Sequence, residues 1–466
     1  MDKENKEWAG ENVWKNGDGI LESKKPVRLP EAVGEIIRRL GRAGFEAYAV
    51  GGCVRDSLLG RTPSDWDITT SARPEEVKRL FERTVDTGLV HGTVTVLWRG
   101  SGYEVTTYRV DGEYEDGRHP KEVSFTGELG EDLRRRDFTI NAMAYNEERG
   151  LVDVFGGQED LKRGVIRCVG DPDERFGEDA LRIMRAVRFS AQLGFSIEKK
   201  TREAMRGHAV YLEKVSAERI QVELTKLVTS PHPDYLRIAW ETGITRIILP
   251  EFDRLMELPQ NNPHHCYCVG EHTLHAMKAA PADKCLRLAM LYHDFGKAEC
   301  HTRDERGIDH FYGHAKAGSE IARRVQRRLR YDNETTDRVC ALVYWHDYRI
   351  EPDIRAVRRA ISRVGPKLFP FLMQVKKADL EAQSDYQRQE KSDWLLQLEE
   401  LAHRIEAQGD CLTLKELAVD GRDLMEAGRK PGPGLGRTLQ MLLEMVLEEP
   451  SRNTKEYLLA NLPKET

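Results

Sequence analysis

The sequence predicts an α+β protein, a head built on a small sheet followed by an elongated all-α arm. Three observations predict it. Strand-like alternation is confined to the first 110 or so of the 466 residues. Helical spacing of apolar residues dominates after Leu151. Charged residues make up 32% of the chain and hydrophobic residues 39%, a charge-rich and helix-prone balance. At roughly 100–200 residues per domain, the length allows about three domains with real cores.

The elements follow in order. Residues 1–24 are polar and are expected to form a flexible tail. The head is expected over 25–150. In it, Leu29–Leu40 carries helical spacing and ends near Gly41 and Gly44. FEAYAVGG (45–52) alternates as a strand does, and VTVLW (94–98) and YEVTTYRV (103–110) read as two strands joined by a short glycine turn. VDGEYEDGRHPKE (110–122) reads as a charged loop. A helical neck is expected over 151–230, with a strong amphipathic helix at 179–195 and a second at 217–228 stopped by Ser230 and Pro231. A helical body is expected over 231–380, with helices at 285–300 and 315–330. A helical tail is expected over 381–466, with helices at 392–407 and 435–448, the last one preceded by PGPG (431–434).

Charge and cysteine usage exclude several classes. The net charge of −6 argues against an indiscriminate basic nucleic-acid coat. Residues 316–377 nevertheless hold 15 Lys/Arg against 7 Asp/Glu, a basic segment suited either to phosphate contacts or to a solvated helix face. No apolar run approaches the ~18 residues of a membrane helix, and the N-terminal residues lack the apolar core of a signal peptide. The eight cysteines are scattered, so a reducing, cytoplasmic compartment is expected rather than a disulfide scaffold. His264, His265, Cys266 and Cys268 lack the usual zinc-ligand spacing and are read as structural.

The densest chemistry lies in GGCVRDSLLGRTPSDWDITT (51–70). A glycine pair between a strand and a helical turn lets backbone N–H groups approach a phosphate, with Gly52 at the turn. Arg55 and Arg61 carry charge that can neutralise a triphosphate. Asp65 and Asp67, two residues apart, face one side of an extended segment and can hold Mg²⁺ against a nucleotide. An isolated D-x-D is common on surfaces, so the whole block carries the reading.

That block resembles the nucleotidyltransferase signature of bacterial tRNA CCA-adding enzymes and poly(A) polymerases, class II members of the polymerase-β-like superfamily. Further motifs follow in the family's order. RRRDFTINAMAY (134–145) resembles the motif in which Arg136 would contact the incoming nucleotide. DVFGGQEDL (153–161) resembles the hinge between head and neck, with Asp153, Gly156, Gly157 and Asp160. EDALRIMRAVRF (178–189) resembles the base-reading motif, and AERIQVEL (217–224) the helical motif after it. Glu104 in YEVTTYR is a candidate third carboxylate or a solvated strand residue.

The resemblance implies template-independent addition to the 3′ end of tRNA from CTP and ATP, with Mg²⁺ at Asp65 and Asp67. It assigns Asp179 and Arg182 to base reading, with Glu178 supporting the Arg and with Arg185 and Arg188 near the nucleotide. Spaced by three, Asp179 and Arg182 are expected on one helix face. Chemistry supports the assignment. Cytosine and adenine each show an amino donor beside a ring-nitrogen acceptor, whereas uracil and guanine show the reverse. An acceptor-only carboxylate beside a donor-only guanidinium fits the first pair and opposes the second. The loop RVDGEYEDGRHPKEVSF (109–125) resembles the flexible loop of CCA- and A-adding enzymes, which disfavours C-only addition. TGLVHGTVTVLW (87–98) looks like the CCA type. A-only addition and poly(A) synthesis remain the alternatives.

A second chemistry is written in the arm. His272 in GEHTLHAM, His293 and Asp294 in LAMLYHDFGK and Asp379 in KKADLEAQ follow the order H…HD…D of the HD phosphohydrolase superfamily. The resemblance implies a divalent metal of unspecified identity and a phosphodiesterase or phosphatase activity. His314 and His346 fall where some HD domains supply further ligands. A phosphohydrolase with a non-catalytic head, or a non-catalytic RNA-binding protein, would be the different-class readings. The intact Asp65, Asp67 and Arg136 argue against both.

Overall fold

The computed structural model describes residues 27–89, 92–112 and 123–463. The expected N-terminal tail and the centre of the 109–125 loop lie outside the described residues. The chain divides into two compact units. One comprises the described residues up to Arg109, together with Phe125–Leu133 and Asn141–Val154, and the other comprises the described residues of Val110–Ser124, Arg134–Ile140 and those from Phe155 onward.

The first unit is built on a seven-stranded sheet. Its strands are β1 (Ala47–Val50), β2 (Ile68–Thr70), β3 (Thr84–Gly88), β4 (Thr93–Trp98), β5 (Ser101–Thr107), β6 (Met143–Asn146) and β7 (Gly150–Asp153), in the order β3-β4-β5-β2-β1-β6-β7. Only β2 and β5 run parallel. β1 and β6 are buried at every position, because a central strand is covered on both faces. Helices α1 (Glu31–Arg42), α2 (Gly52–Leu58) and α3 (Pro74–Leu80) pack on the sheet, and α1 buries Val33, Ile36, Ile37 and Leu40. The turn of the β4–β5 hairpin places Arg99 and Gly100 at φ 50° and 84°, the left-handed pair whose twist matches the strands. Three of these strands, β1, β4 and β5, match the sequence reading. β2, with three residues, and β3, which is mostly exposed, carry no alternation that could announce them.

The second unit is dominated by helices. Those used below are α4 (Pro172–Glu178), α5 (Leu181–Leu193), α6 (Ala217–Val228), α7 (Val269–Ala279), α8 (Lys284–Tyr292), α9 (His314–Arg328), α10 (Asn333–Trp345), α11 (Ile354–Val364), α12 (Phe369–Glu381), α13 (Arg388–Gln408) and α14 (Pro433–Glu448). α7, α8, α10 and α12 pack around a core containing Leu274, Leu288, Leu291, Val339, Val343 and Leu372, all at or near zero exposure. Near the C-terminus, Val419, Leu424, Leu442, Leu443, Val446 and Leu458 form a smaller core.

Two expected helices are broken. The helix expected over 179–195 begins only at Leu181, and Asp179 is extended, with φ −145° and ψ 102°. Aspartate competes for backbone N–H groups, and Asp179 Oδ1 accepts from Leu181 N at 3.0 Å. The expectation that Asp179 and Arg182 share a helix face is therefore corrected, since Asp179 precedes the helix. The helix expected over 285–300 stops at Tyr292 and resumes at Lys297. Gly296 lies so close to α9 that a Cβ there would stand 2.1 Å from the His314 carbonyl oxygen.

Candidate functional sites

In the first unit, the strand-to-helix turn sets the acidic segment. Gly51 has φ 83° and ψ −128°, a conformation only glycine adopts without strain, and its N–H donates to Met143 O at 3.1 Å. Gly52 has ordinary backbone and opens α2, so Gly51 rather than Gly52 bears the conformational demand. Val50 N donates to Asp67 O at 3.0 Å, which pins the acidic segment beside the end of β1. Asp65 and Asp67 are both exposed, and Ser64 Oγ donates to Asp65 Oδ1 at 2.9 Å. β2 pairs with β5 with Ile68 beside Val105, so the preceding residues, Asp67 and Glu104, are neighbours in register. Exposed carboxylates supply the oxygen donors that suit a hard divalent cation, although among the described residues three ligand atoms converge within 4.8 Å only in the second unit.

Arg55 is placed differently from a free phosphate ligand. It is buried, forks onto Asp56 at 2.9 Å twice, and donates from Nη1 to Asn141 Oδ1 at 2.6 Å. Arg61 is exposed.

In the second unit, the base-reading candidates form a charged network. Arg182 donates to Glu178 Oε2 at 2.5 Å and to Arg135 O at 3.0 Å. Glu178 also pairs with Arg175 at 2.5 Å. Asp179 Oδ2 accepts from Arg219 of α6 at 2.7 Å. Arg185 forks onto Asp137 at 2.8 and 2.6 Å, beside the half-buried Arg136. Arg188 is buried and pairs with Glu223 of α6 at 2.5 Å. Arg219 and Glu223 of AERIQVEL are functional candidates that the motif reading alone does not mark. Their spacing of four, with opposite charges facing α5, was the available signal.

The histidines of the arm converge. His272 on α7, His293 and Asp294 just after α8, and Asp379 on α12 meet in the core. His272 Nε2 lies 2.8 Å from Asp379 Oδ1 and 3.3 Å from His293 Nε2. His293 Nε2 lies 3.2 Å from Asp294 Oδ2. On the other side of Asp294, Oδ1 faces His314 Nε2 at 3.7 Å and His346 Nε2 at 4.0 Å. His314 opens α9, and His346 follows α10. Lys297 reaches Asp294 Oδ2 at 2.8 Å and Gln260 Oε1 at 2.6 Å.

The tautomers follow from the second nitrogen of each ring. Nδ1 of His272, His293, His314 and His346 each meets a backbone carbonyl, of Ala382, Met290, Phe311 and Val343, at 2.7–3.2 Å. A carbonyl only accepts, so Nδ1 carries the proton and Nε2 of the neutral ring presents a lone pair. Lone pairs therefore face lone pairs or carboxylate oxygens, and the cluster calls for positive charge between them. A proton can supply that charge in place of a cation at His293, whose pKa Asp294 and Asp379 raise to about 10 against the opposing effect of burial. Two overlapping triads, His272–His293–Asp294 and Asp294–His314–His346, place their ligand atoms within 4.8 Å of one another. Nitrogen and oxygen donors of this kind suit a divalent transition metal, and the carbonyls on Nδ1 orient the rings as outer partners do.

His264, His265, Cys266 and Cys268 form no such set. His264 Nδ1 meets Lys391 Nζ at 3.0 Å, His265 packs edge-on against His272, Cys268 Sγ accepts from Glu271 N, and Cys266 is exposed. All eight cysteines are free thiols. No helix among the described residues is long and apolar enough to cross a membrane.

Comparison with known proteins gives this arrangement a class. Residues 47–167 match the family described as Poly A polymerase head domain. Residues 194–256 match "Probable RNA and SrmB- binding site of polymerase A", and 302–462 match "tRNA nucleotidyltransferase domain 2 putative". A CCA-adding enzyme of Levilactobacillus brevis is 37% identical, over 91% of this chain and 95% of its own. One of Streptococcus thermophilus is 36% identical, over 91% and 94%. The crystal structure of the Bacillus stearothermophilus CCA-adding enzyme in complex with CTP superposes with a TM-score of 0.70 at 32% identity, covering 92% of this chain and 95% of that one. The Thermotoga maritima CCA-adding enzyme complexed with tRNA_CCA shares the fold, with a TM-score of 0.55 at 20% identity over 91% and 93%. The fold and head define a nucleotidyltransferase of the class II poly(A) polymerase type. Within that class, the chain belongs to the CCA-adding enzyme family, the tRNA nucleotidyltransferases.

Proposed function

We propose that this protein adds CCA to the 3′ end of tRNA from CTP and ATP without a nucleic-acid template, and that its arm holds a second, phosphohydrolase site. The observation that carries the first part is the pinned acidic segment at the β1–α2 turn in a chain of this family. Asp65 and Asp67 would hold Mg²⁺, with Glu104 beside Asp67 as a third carboxylate. Two such ions would supply activation of the terminal hydroxyl and stabilisation of the pyrophosphate leaving group. Gly51 and Gly52 let the backbone approach the triphosphate, and Arg136 contacts the nucleotide. Arg55 orders the site through Asp56 and Asn141. Asp179 accepts from the amino group of C or A while Arg182 donates to the ring nitrogen, and both face like polarity with U or G.

The 2.5–2.8 Å ion pairs on Arg182, Arg185 and Arg188 support a preorganised reading surface. The basic stretch 316–377 supports phosphate contacts with tRNA, since Arg324, Arg327 and Arg330 are exposed on or just after α9. Asp65→Asn and Asp67→Asn should each abolish incorporation of labelled CMP and AMP into tRNA lacking its 3′ end. Undiminished incorporation in both would reject the acidic site.

The converging histidines support the second part. His272, His293, Asp294 and Asp379 would hold one divalent cation, and Asp294, His314 and His346 would extend the set to another. Such a cation supplies an activated water against a phosphoester. Lys297, beside Asp294, offers charge to a bound phosphate.

A further inference from the structure

The two halves of the base-reading pair are held by different parts of the second unit. Arg182 is braced from α4 and the preceding motif, through Glu178 and the Arg135 carbonyl. Asp179 has no helix of its own. It lies in the two-residue break between α4 and α5, with extended backbone. One of its oxygens caps Leu181 N at 3.0 Å, and the other meets Arg219 Nη2 at 2.7 Å. Arg219 stands on a fixed base. α6 buries Ile220, Glu223, Leu224 and Leu227, and Glu223, one turn beyond Arg219, is bound to Arg188 in the interior of the α5–α6 interface.

We propose that Arg219 is a positioning residue that sets base selectivity by fixing the Asp179 carboxylate. The inference rests on the reading of Asp179 as the acceptor for the base amino group. A carboxylate at a helix break can turn about two side-chain bonds. Capping of Leu181 fixes one oxygen, and the guanidinium on the other removes the remaining rotation. Each carboxylate oxygen has two lone pairs, so both contacts leave acceptor capacity for an incoming amino group. Without Arg219, Asp179 can swing away, and the pattern that opposes U and G is lost. Direct contact between Arg219 and the base is not required.

The test is competitive incorporation of each nucleotide by the full-length enzyme on tRNA lacking its 3′ end, with R219A, R219K, D179A and the double variant. R219A should lower the preference for CTP and ATP over UTP and GTP by roughly 10- to 100-fold, the worth of one such contact. It should also raise KM for CTP more than it lowers kcat. R219K, which keeps the charge without the fork, should fall between R219A and wild type. The double variant should be no less selective than D179A alone. Wild-type selectivity in R219A and R219K, alongside lost selectivity in D179A, would overturn the role of Arg219 and spare that of Asp179. Wild-type selectivity in D179A would overturn the reading beneath it. Should R219A fold poorly, the cycle of R219K with D179A decides the question, because additive effects would exclude the coupling.

Discussion

The Nε2 atoms of His314 and His346 face each other at 3.1 Å, while the Nδ1 of each donates to a backbone carbonyl. Two neutral rings held so cannot hydrogen-bond to one another, and Asp294 Oδ1 stands within 4.0 Å of both. The second pair, His272 and His293, repeats the relationship on Oδ2 of the same aspartate. Asp294 is thus the group shared by both triads. Asp294→Ala should remove hydrolysis of 2′,3′-cyclic nucleotides and weaken binding of a divalent metal such as Mn²⁺, while sparing nucleotide addition to tRNA. Persisting hydrolysis in that variant would reject the second site.

Gly296 gives a steric test of the same region. A Cβ at this position would lie 2.1 Å from His314 O and 2.6 Å from Gly318 N, both backbone atoms that cannot step aside. Gly296→Ala should therefore push the start of α9 away and cost roughly 1–3 kcal/mol. Metal affinity of the arm should fall with it. A melting temperature and metal affinity equal to wild type would contradict the close approach.

Asp309 gives a pH test of the hairpin formed by Thr302–Arg303 and Asp309–His310. Its carboxylate accepts from Arg303 Nε at 2.7 Å, from His301 Nε2 at 2.8 Å and from Asn261 N at 2.8 Å, and these hold its pKa well below the usual range, Arg303 foremost. A depressed carboxyl pKa adds stability above the unfolded value of ~3.9, and the gain is lost as pH falls through the folded value. Asp309→Asn should be less stable than wild type by roughly 1–3 kcal/mol at pH 7. The gap should narrow on acidification below about 4. Denaturant unfolding at a series of pH values measures this, and a constant gap would contradict the assignment.

Much of the site was legible because chemistry there depends on order and spacing. The D-x-D block, the H…HD…D order and the basic stretch were all readable in one dimension. What escaped depended on pairing in space. Arg219 and Glu223 matter through partners 40 and 35 residues away. Nothing in the segment around Arg55 foretells its hydrogen bond to Asn141, 86 residues on. The break at Asp179 was hidden by apolar periodicity that runs on through Leu181 and Met184, and only the side chain's competition for a backbone N–H interrupts it. The short strands β2 and β3 were invisible because neighbouring strands, rather than their own patterns, make them.

The most direct measurement is sequencing of the bases added to tRNA lacking its 3′ end, incubated with the full chain, CTP, ATP and Mg²⁺. Template-independent CCA addition predicts C, C and A in that order, with addition stopping after the A. Growth by A alone on a CC-ending tRNA, with none on the shorter substrate, or an extended run of A would contradict it.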